Sequence, residues 1–162
     1  MRERRNGGTH MNRRLSLGLV SLLALTQCSS PPPPPPVLDL TIKGSADQNP
    51  DAANRASPVA VRVYQLAGTA KFEQSDIFAL KDAETKTLGT EAAPGSSSQE
   101  FLLAPGDTKQ VKIDLKPGVS SIGVAVMYSN IDAAKWRADA PAQPHGLTTL
   151  TATVAKLSVT LK

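Results

Sequence analysis

From Val37 onward, apolar and polar side chains alternate with a period of two. Leu38, Leu40 and Ile42 are separated by Asp39, Thr41 and Lys43, the pattern of a strand with one buried and one wet face. The run Val59–Leu66 sets Val59, Val61 and Val63 against Arg62 and Tyr64, and β-branched residues suit a pleated surface. Val111, Ile113 and Leu115 alternate with Lys112, Asp114 and Lys116, between the turn signals Pro105-Gly106-Asp107 and Pro117-Gly118. Around Ile122, Val124, Val126 and Tyr128 the intervening Gly123, Ala125 and Met127 are small or apolar, which predicts a central strand covered on both faces. Leu150, Ala152 and Val154, then Leu157, Val159 and Leu161, predict two closing strands joined near Ala155-Lys156. Gln99–Leu103 is a further strand candidate. Helical spacing is confined to residues 72–80, where Phe72, Ile77, Phe78 and Leu80 would cover a sheet edge and Glu73 sits in the first turn. Seven or eight short strands between Pro/Gly turns, with one short helix, predict an all-β, two-sheet β-sandwich.

The N-terminal segment departs from this pattern. Arg13-Arg14 precedes twelve largely apolar residues, 15–26, the charged and hydrophobic regions of a secretory signal. That stretch is too short to span a bilayer, which takes roughly 20 apolar residues. Residues 1–27 are therefore expected to be a signal peptide, and a start at Met11 in place of Met1 would make it more compact. Cys28, the sole cysteine, follows at once and has no partner for an internal disulfide. Leu25-Thr26-Gln27-Cys28 resembles the bacterial lipobox, departing from it at Gln27, where a small residue is usual. The resemblance implies a lipidated Cys28 as the new N-terminus, and Ser29 in place of an aspartate implies the outer membrane. Acyl chains contribute about 0.8 kcal/mol per buried CH₂, so two or more anchor stably. Pro31 to Pro36 then forms an extended spacer of roughly 19 Å at about 3.1 Å per residue. The expected plan is signal peptide 1–27, lipidated tether 28–36 and domain 37–162.

Charge first suggests, then excludes, a nucleic-acid partner. The net charge is +4, but five of the eighteen basic residues and one of the fourteen acids precede Cys28, so thirteen of each remain. A near-neutral domain with few aromatics lacks both phosphate contacts and stacking platforms. Catalysis is not indicated either. His145 is the one histidine after Cys28 and lies in a Pro-His-Gly turn, while Ser96 to Ser98 and Ser120-Ser121 show no paired base and orienting acid. No ligand cluster of metal-site spacing occurs, and Asp47 and Asp51 are not followed by EF-hand spacing. No enzyme activity, cofactor, metal or small-molecule substrate is expected.

Two segments are left over for binding. Residues 44–58 are fifteen mostly polar positions between two clear strands, longer than a 2–5-residue hairpin loop, and loops of that size are commonly functional. Trp136, the only tryptophan, stands beside Arg137, and both residue types are enriched at binding hot spots.

Read in order, these landmarks resemble the type VI secretion system lipoprotein family TssJ. The match runs through Cys28, Leu38-Asp39-Leu40-Thr41-Ile42, Asn49-Pro50-Asp51, Pro58 to Leu66 and residues 72–80. It continues through Leu88-Gly89, Pro105-Gly106 and Gly123 to Tyr128, and ends at Ile131-Asp132 and Trp136-Arg137. The resemblance implies a transthyretin-like sandwich held at the outer membrane and facing the periplasm. It implies one partner, the periplasmic domain of the inner-membrane protein TssM, contacted through the loop between the first two strands. By position that contact falls on Asp47, Gln48, Asn49, Asp51, Asn54 and Arg55; because a standard interface buries roughly 800 Å² per partner, more than one loop supplies, neighbouring strand ends or Trp136 and Arg137 are expected to share it. The alternative on the same sandwich is a periplasmic ligand carrier or a pilus-type assembly lipoprotein, since fold does not dictate function; a large apolar pocket would mark the carrier.

Overall fold

The alternating stripes form two packed sheets. The computed structural model describes residues 33–162; Cys28 and the expected signal peptide lie outside the described residues. The described residues form eight strands: β1 (Val37–Gly44), β2 (Val59–Leu66), β3 (Gln99–Leu103), β4 (Thr108–Asp114), β5 (Ser121–Val126), β6 (Arg137–Pro141), β7 (Leu147–Val154) and β8 (Val159–Leu161). One sheet runs β4-β1-β7-β8 and the other β3-β2-β5-β6. All ladders are antiparallel except β1 with β7, which is parallel from Val37 opposite Leu147 to Gly44 opposite Val154.

The inner faces carry the predicted residues. Leu38, Leu40, Ile42, Val61, Ile122, Val124 and Val154 are fully buried in one core between the sheets. Burying a Val, Leu or Ile side chain contributes roughly 1.5–3 kcal/mol, so this cluster is the main source of stability. β5 is buried along nearly its whole length, as expected of a strand covered on both faces.

The expected single helix is three short ones, and they lie on a face rather than an edge. α1 (Ala70–Gln74), α2 (Ile77–Asp82) and α3 (Glu84–Leu88) cover the outer side of the second sheet. A second core forms there from Tyr64, Leu66, Phe72, Leu80, Leu88 and Ala125. Tyr64, expected on a wet face, is 1% exposed with its ring 5.5 Å from that of Phe72, because the helix layer covers the face it points to. Asp76 starts α2 by accepting the Ala79 amide at 2.8 Å, a side-chain N-cap. β6 has no counterpart among the expected strands. Its Arg-Ala-Asp-Ala-Pro composition gives little apolar alternation, and its pairing with β5 holds it as an edge strand, where a terminal Pro141 is tolerated.

The end of the proline run belongs to the domain. The Gly146 amide donates to the Pro34 carbonyl at 3.3 Å and the Leu115 amide to Pro36 at 3.0 Å. Prolines can accept such bonds although they cannot donate, so residues 34–36 prolong β1 between its neighbours. The spacer of about 19 Å expected from six prolines is shorter by those three.

Gly123 admits the helix layer. A Cβ at this position would lie 2.9 Å from both Phe72 Cζ and Leu66 Cδ1. Gly123→Ala is expected to lower the unfolding free energy by about 1–3 kcal/mol through overpacking. In urea unfolding, a double variant with Phe72→Leu, which trims the colliding ring, should lose less than the sum of the two single losses.

Candidate functional site

The loop between β1 and β2 emerges at the end of the sandwich opposite residues 34–36. β1 starts at Val37, whose amide bonds Gly146 beside the prolines, and ends at Gly44, whose amide donates to the Asp107 carbonyl at 2.8 Å. Seven steps of about 3.3 Å separate the two ends by roughly 23 Å. Turns of both sheets hold the loop's base. Ser45 donates to Val154 in β7, Gly106 of the β3–β4 turn donates to Ser45, and Asn49 donates to Lys156 of the β7–β8 turn.

Two buried amide side chains lock this base. Gln48 is 0% exposed and its Nε2 donates to the Leu103 carbonyl at 2.8 Å. Gly44 makes the room: a Cβ there would run into Gln48 Oε1. Asn49 is 3% exposed, adopts φ +46° and works in both directions. Its Nδ2 donates to the Pro58 carbonyl at 2.9 Å and its Oδ1 accepts the Ser129 amide at 2.7 Å. Asparagine tolerates this left-handed backbone better than most residues. Tyr128 adds a third tie, donating to the carbonyls of Ser158 at 2.7 Å and Ala155 at 3.1 Å. Burial pushes its pKa up, which keeps the hydroxyl protonated as a donor.

The tip folds around Asp51. One carboxylate oxygen accepts the amides of Ala53 and Arg55, each at 2.9 Å, while the other meets the Arg55 guanidinium at 2.8–2.9 Å. The Asp51 amide donates back to the Arg55 carbonyl and the Asn54 amide to Asp51, with Asn54 at φ +58°. The Arg55 amide bond and then its guanidinium hold the Asp51 carboxyl below the usual carboxylate range. Positions 52–56 of this closed tip stand exposed.

The six loop residues expected to meet a partner therefore divide. Gln48 and Asn49 are corrected to internal struts, because their amides satisfy buried backbone groups that would otherwise be unpaired. Asp51 is turned largely inward as the tip's organiser. Asp47, Asn54 and Arg55 remain on the exposed surface, Asp47 accepting the Ser45 hydroxyl at 2.6 Å. Trp136 is half-buried and packs against both cores. Arg137 stacks on its ring at 4.5 Å and donates to the carbonyls of Phe72 and Ser75 at 2.9 and 2.6 Å, closing the C-terminal end of α1. Its guanidinium thus serves the helix layer.

Two neighbouring clefts open on the helix side, beyond what the loop pattern indicated. One of about 410 Å³ includes Ile77, Phe78, Asp132 and Trp136; the other, about 320 Å³, includes Phe78, Lys81, Met127 and Ile131. Neither lies near His145, which is exposed between β6 and β7 at the tether end. The Ser96 and Ser120 hydroxyls donate to backbone carbonyls and Ser98 pairs with Glu84. Among the described residues no three His, Cys, Asp or Glu side chains gather as metal ligands, and no helix is long and apolar enough to cross a membrane.

A rigid sandwich presenting one braced loop has the build of a scaffolding or binding module. Residues 36–161 match the family model described as type VI secretion lipoprotein, VasD, EvfM, TssJ, VC_A0113, and the chain belongs to this family. The family is a structural lipoprotein of the secretion system, without enzymatic activity or cofactor. The chain is similar to the T6SS lipoprotein TssJ1 from Pseudomonas aeruginosa, at 27% identity and a TM-score of 0.73 over 80% of this chain and 96% of that one. It is also similar to a chain of a type VI membrane complex, at 26% identity and 0.67 over 78% and 98%. A chain in the structure described as the T6SS protein TssM C-terminal domain from EAEC shares the fold, at 24% identity and 0.65 over 78% and 98%. No curated protein matches the sequence.

Two outcomes test the loop's construction. Asn49→Ala leaves the Ser129 amide and Pro58 carbonyl without their partner and is expected to cost about 1–3 kcal/mol, with faster hydrogen exchange at Ser129. Asp51 has a lowered folded pKa, so its contribution is present above the ordinary carboxylate value of about 3.9 and is lost as pH falls through the lowered value. NMR of the Ala53 and Arg55 amides should show an intact tip at pH 5 and a transition only below the ordinary carboxylate range, absent in Asp51→Asn.

Proposed function

We propose that this protein is the outer-membrane scaffold of a type VI secretion membrane complex and holds the periplasmic domain of TssM through the tip of its β1–β2 loop. In this reading residues 1–27 are removed on export, Cys28 carries the lipid, and the domain faces the periplasm. The observation that carries it is the placement of tether and loop at opposite ends of β1. A chain anchored at one end directs the loop away from its own membrane. The existence of similar chains in a type VI membrane complex and in the structure described as the TssM C-terminal domain supports the choice of partner.

The tip suits such a contact because it is built before the partner arrives. Gln48, Asn49 and Asp51 hold the backbone, so little ordering remains to be done on binding. Asp47, Asn54 and Arg55 present mixed charge, and Arg55 is the exposed arginine of the tip, 80% accessible. Trp136 and Arg137 contribute indirectly by fixing the helix layer beside the loop. The carrier alternative is disfavoured: the space between the sheets is filled by aliphatic side chains, and the two clefts lie outside it.

The processed lipoprotein in detergent should bind the periplasmic domain of TssM from the same organism. Exchanging residues 52–56 for Gly/Ser, with Gln48, Asn49 and Asp51 retained, should weaken binding at least about tenfold without shifting the thermal unfolding midpoint. Unchanged affinity in calorimetry would remove the loop from the contact. Absence of binding by the unaltered protein would refute the scaffold reading.

A further inference from the structure

We infer that an apolar strip on the outer face of the second sheet, next to the loop, is a second docking surface for the partner that the loop tip engages, taking large apolar side chains of that partner. The inference rests on the scaffold reading above. Its starting point is the sheet register. Ala60 in β2 stands opposite Leu102 in β3, and the Met127 amide, just past β5, donates to the Ala60 carbonyl at 2.9 Å. Leu102, Ala60 and Met127 are therefore neighbours across three adjacent strands, on the face opposite the inward-pointing Val59 and Val61.

The helix layer stops short of this row. The second core includes Tyr64 and Leu80; beyond Tyr64 on this face Arg62 bonds the Lys81 carbonyl and pairs with Glu100, and Phe78 on α2 is 62% exposed. Leu102 is 67% exposed. Phe78 was expected to help cover a sheet edge, yet its ring forms a wall of the 320 Å³ cleft, with Met127 and Ile131 also lining it. Surface leucines and phenylalanines standing singly need no explanation, but two flanking one continuous apolar strip mark an interaction site.

Continuity with the loop selects the occupant. Ser129 lines the same cleft and donates its amide to Asn49, the buried strut of the loop; the other end of that carboxamide holds Pro58, two residues before Ala60. Tip and strip therefore share one rigid support. The size of the contact points the same way. A stable interface takes roughly 20–30 residues a side, about 800 Å², and the exposed tip comprises positions 52–56 with Asp47. The strip supplies the apolar centre that a charged tip lacks, with Lys81 and the Arg62–Glu100 pair at its margin.

The test is Phe78→Glu and Leu102→Glu, each in the processed lipoprotein with the loop intact, titrated with the TssM periplasmic domain. Each is expected to weaken binding about tenfold or more, mainly by faster dissociation. Both side chains are exposed, so the thermal midpoint should stay within the error of the unaltered protein; Phe78→Ala and Leu102→Ala provide smaller truncations if a charge perturbs folding. Wild-type affinity in all four, with binding lost in the loop-tip variant, overturns the strip and leaves the loop contact standing. A change confined to self-association in sedimentation assigns the strip to a second copy and also overturns the proposal. Failure of the unaltered protein to bind ends the scaffold reading and this inference with it.

Discussion

The architecture depends on how β1 is seated. It pairs antiparallel to β4 on one side and parallel to β7 on the other, with ladder partners along its whole length. A parallel pair cannot be closed by a tight turn, so the chain must travel through the second sheet and the helix layer before β7 returns alongside β1. Both ends of β1 are thereby fixed in the middle of a sheet. The prolines continue from one end, bonded to Gly146 and Leu115, and the loop leaves from the other. The separation of residues 34–36 from the β1–β2 loop follows from strand pairing and not from any property of the loop itself.

The loop's stiffness comes from polar groups placed where water is excluded. Loops with buried backbone need partners for every amide and carbonyl, and here the Gln48 and Asn49 side chains satisfy groups beside the second sheet while the Asn49 amide bonds the β7–β8 turn of the first. At the tip the same logic runs in solvent: Asp51 gathers two amides and a guanidinium on one carboxylate. An exposed ion pair by itself adds little, but with two backbone bonds on the same group it defines one backbone path. What is left exposed at the tip is small and pre-shaped.

The helix layer illustrates how a minor element redirects a sheet. Three helices of five or six residues would not persist alone, since isolated short helices are unstable. They hold because Phe72 packs where Gly123 leaves space, Asp76 caps α2, and Arg137 donates to the carbonyls that close α1. They bury Tyr64 and Leu66 and leave the part of the sheet next to the loop uncovered, so the exposed apolar surface of this face is concentrated beside the loop.

Read alone, the amino-acid order determined the stripes at β1, β2, β4, β5, β7 and β8, the candidate at β3 and the presence of a long polar loop. Burial on one side of a strand imprints a local period of two. The signal-like segment, Cys28 and the proline run stand out by local composition; residues 1–32 lie outside the described residues. Tertiary structure alone decided the rest. β6 has too little apolar contrast to announce itself; Tyr64 changes from wet to buried because helices distant in sequence cover it; and Gln48 and Asn49 are buried while Asn54 and Arg55 are exposed, although all four are polar residues of one loop. Polarity says that a side chain wants hydrogen bonds. Whether water or a folded backbone supplies them depends on which strands and turns arrive beside it, and that is settled only when the two sheets close.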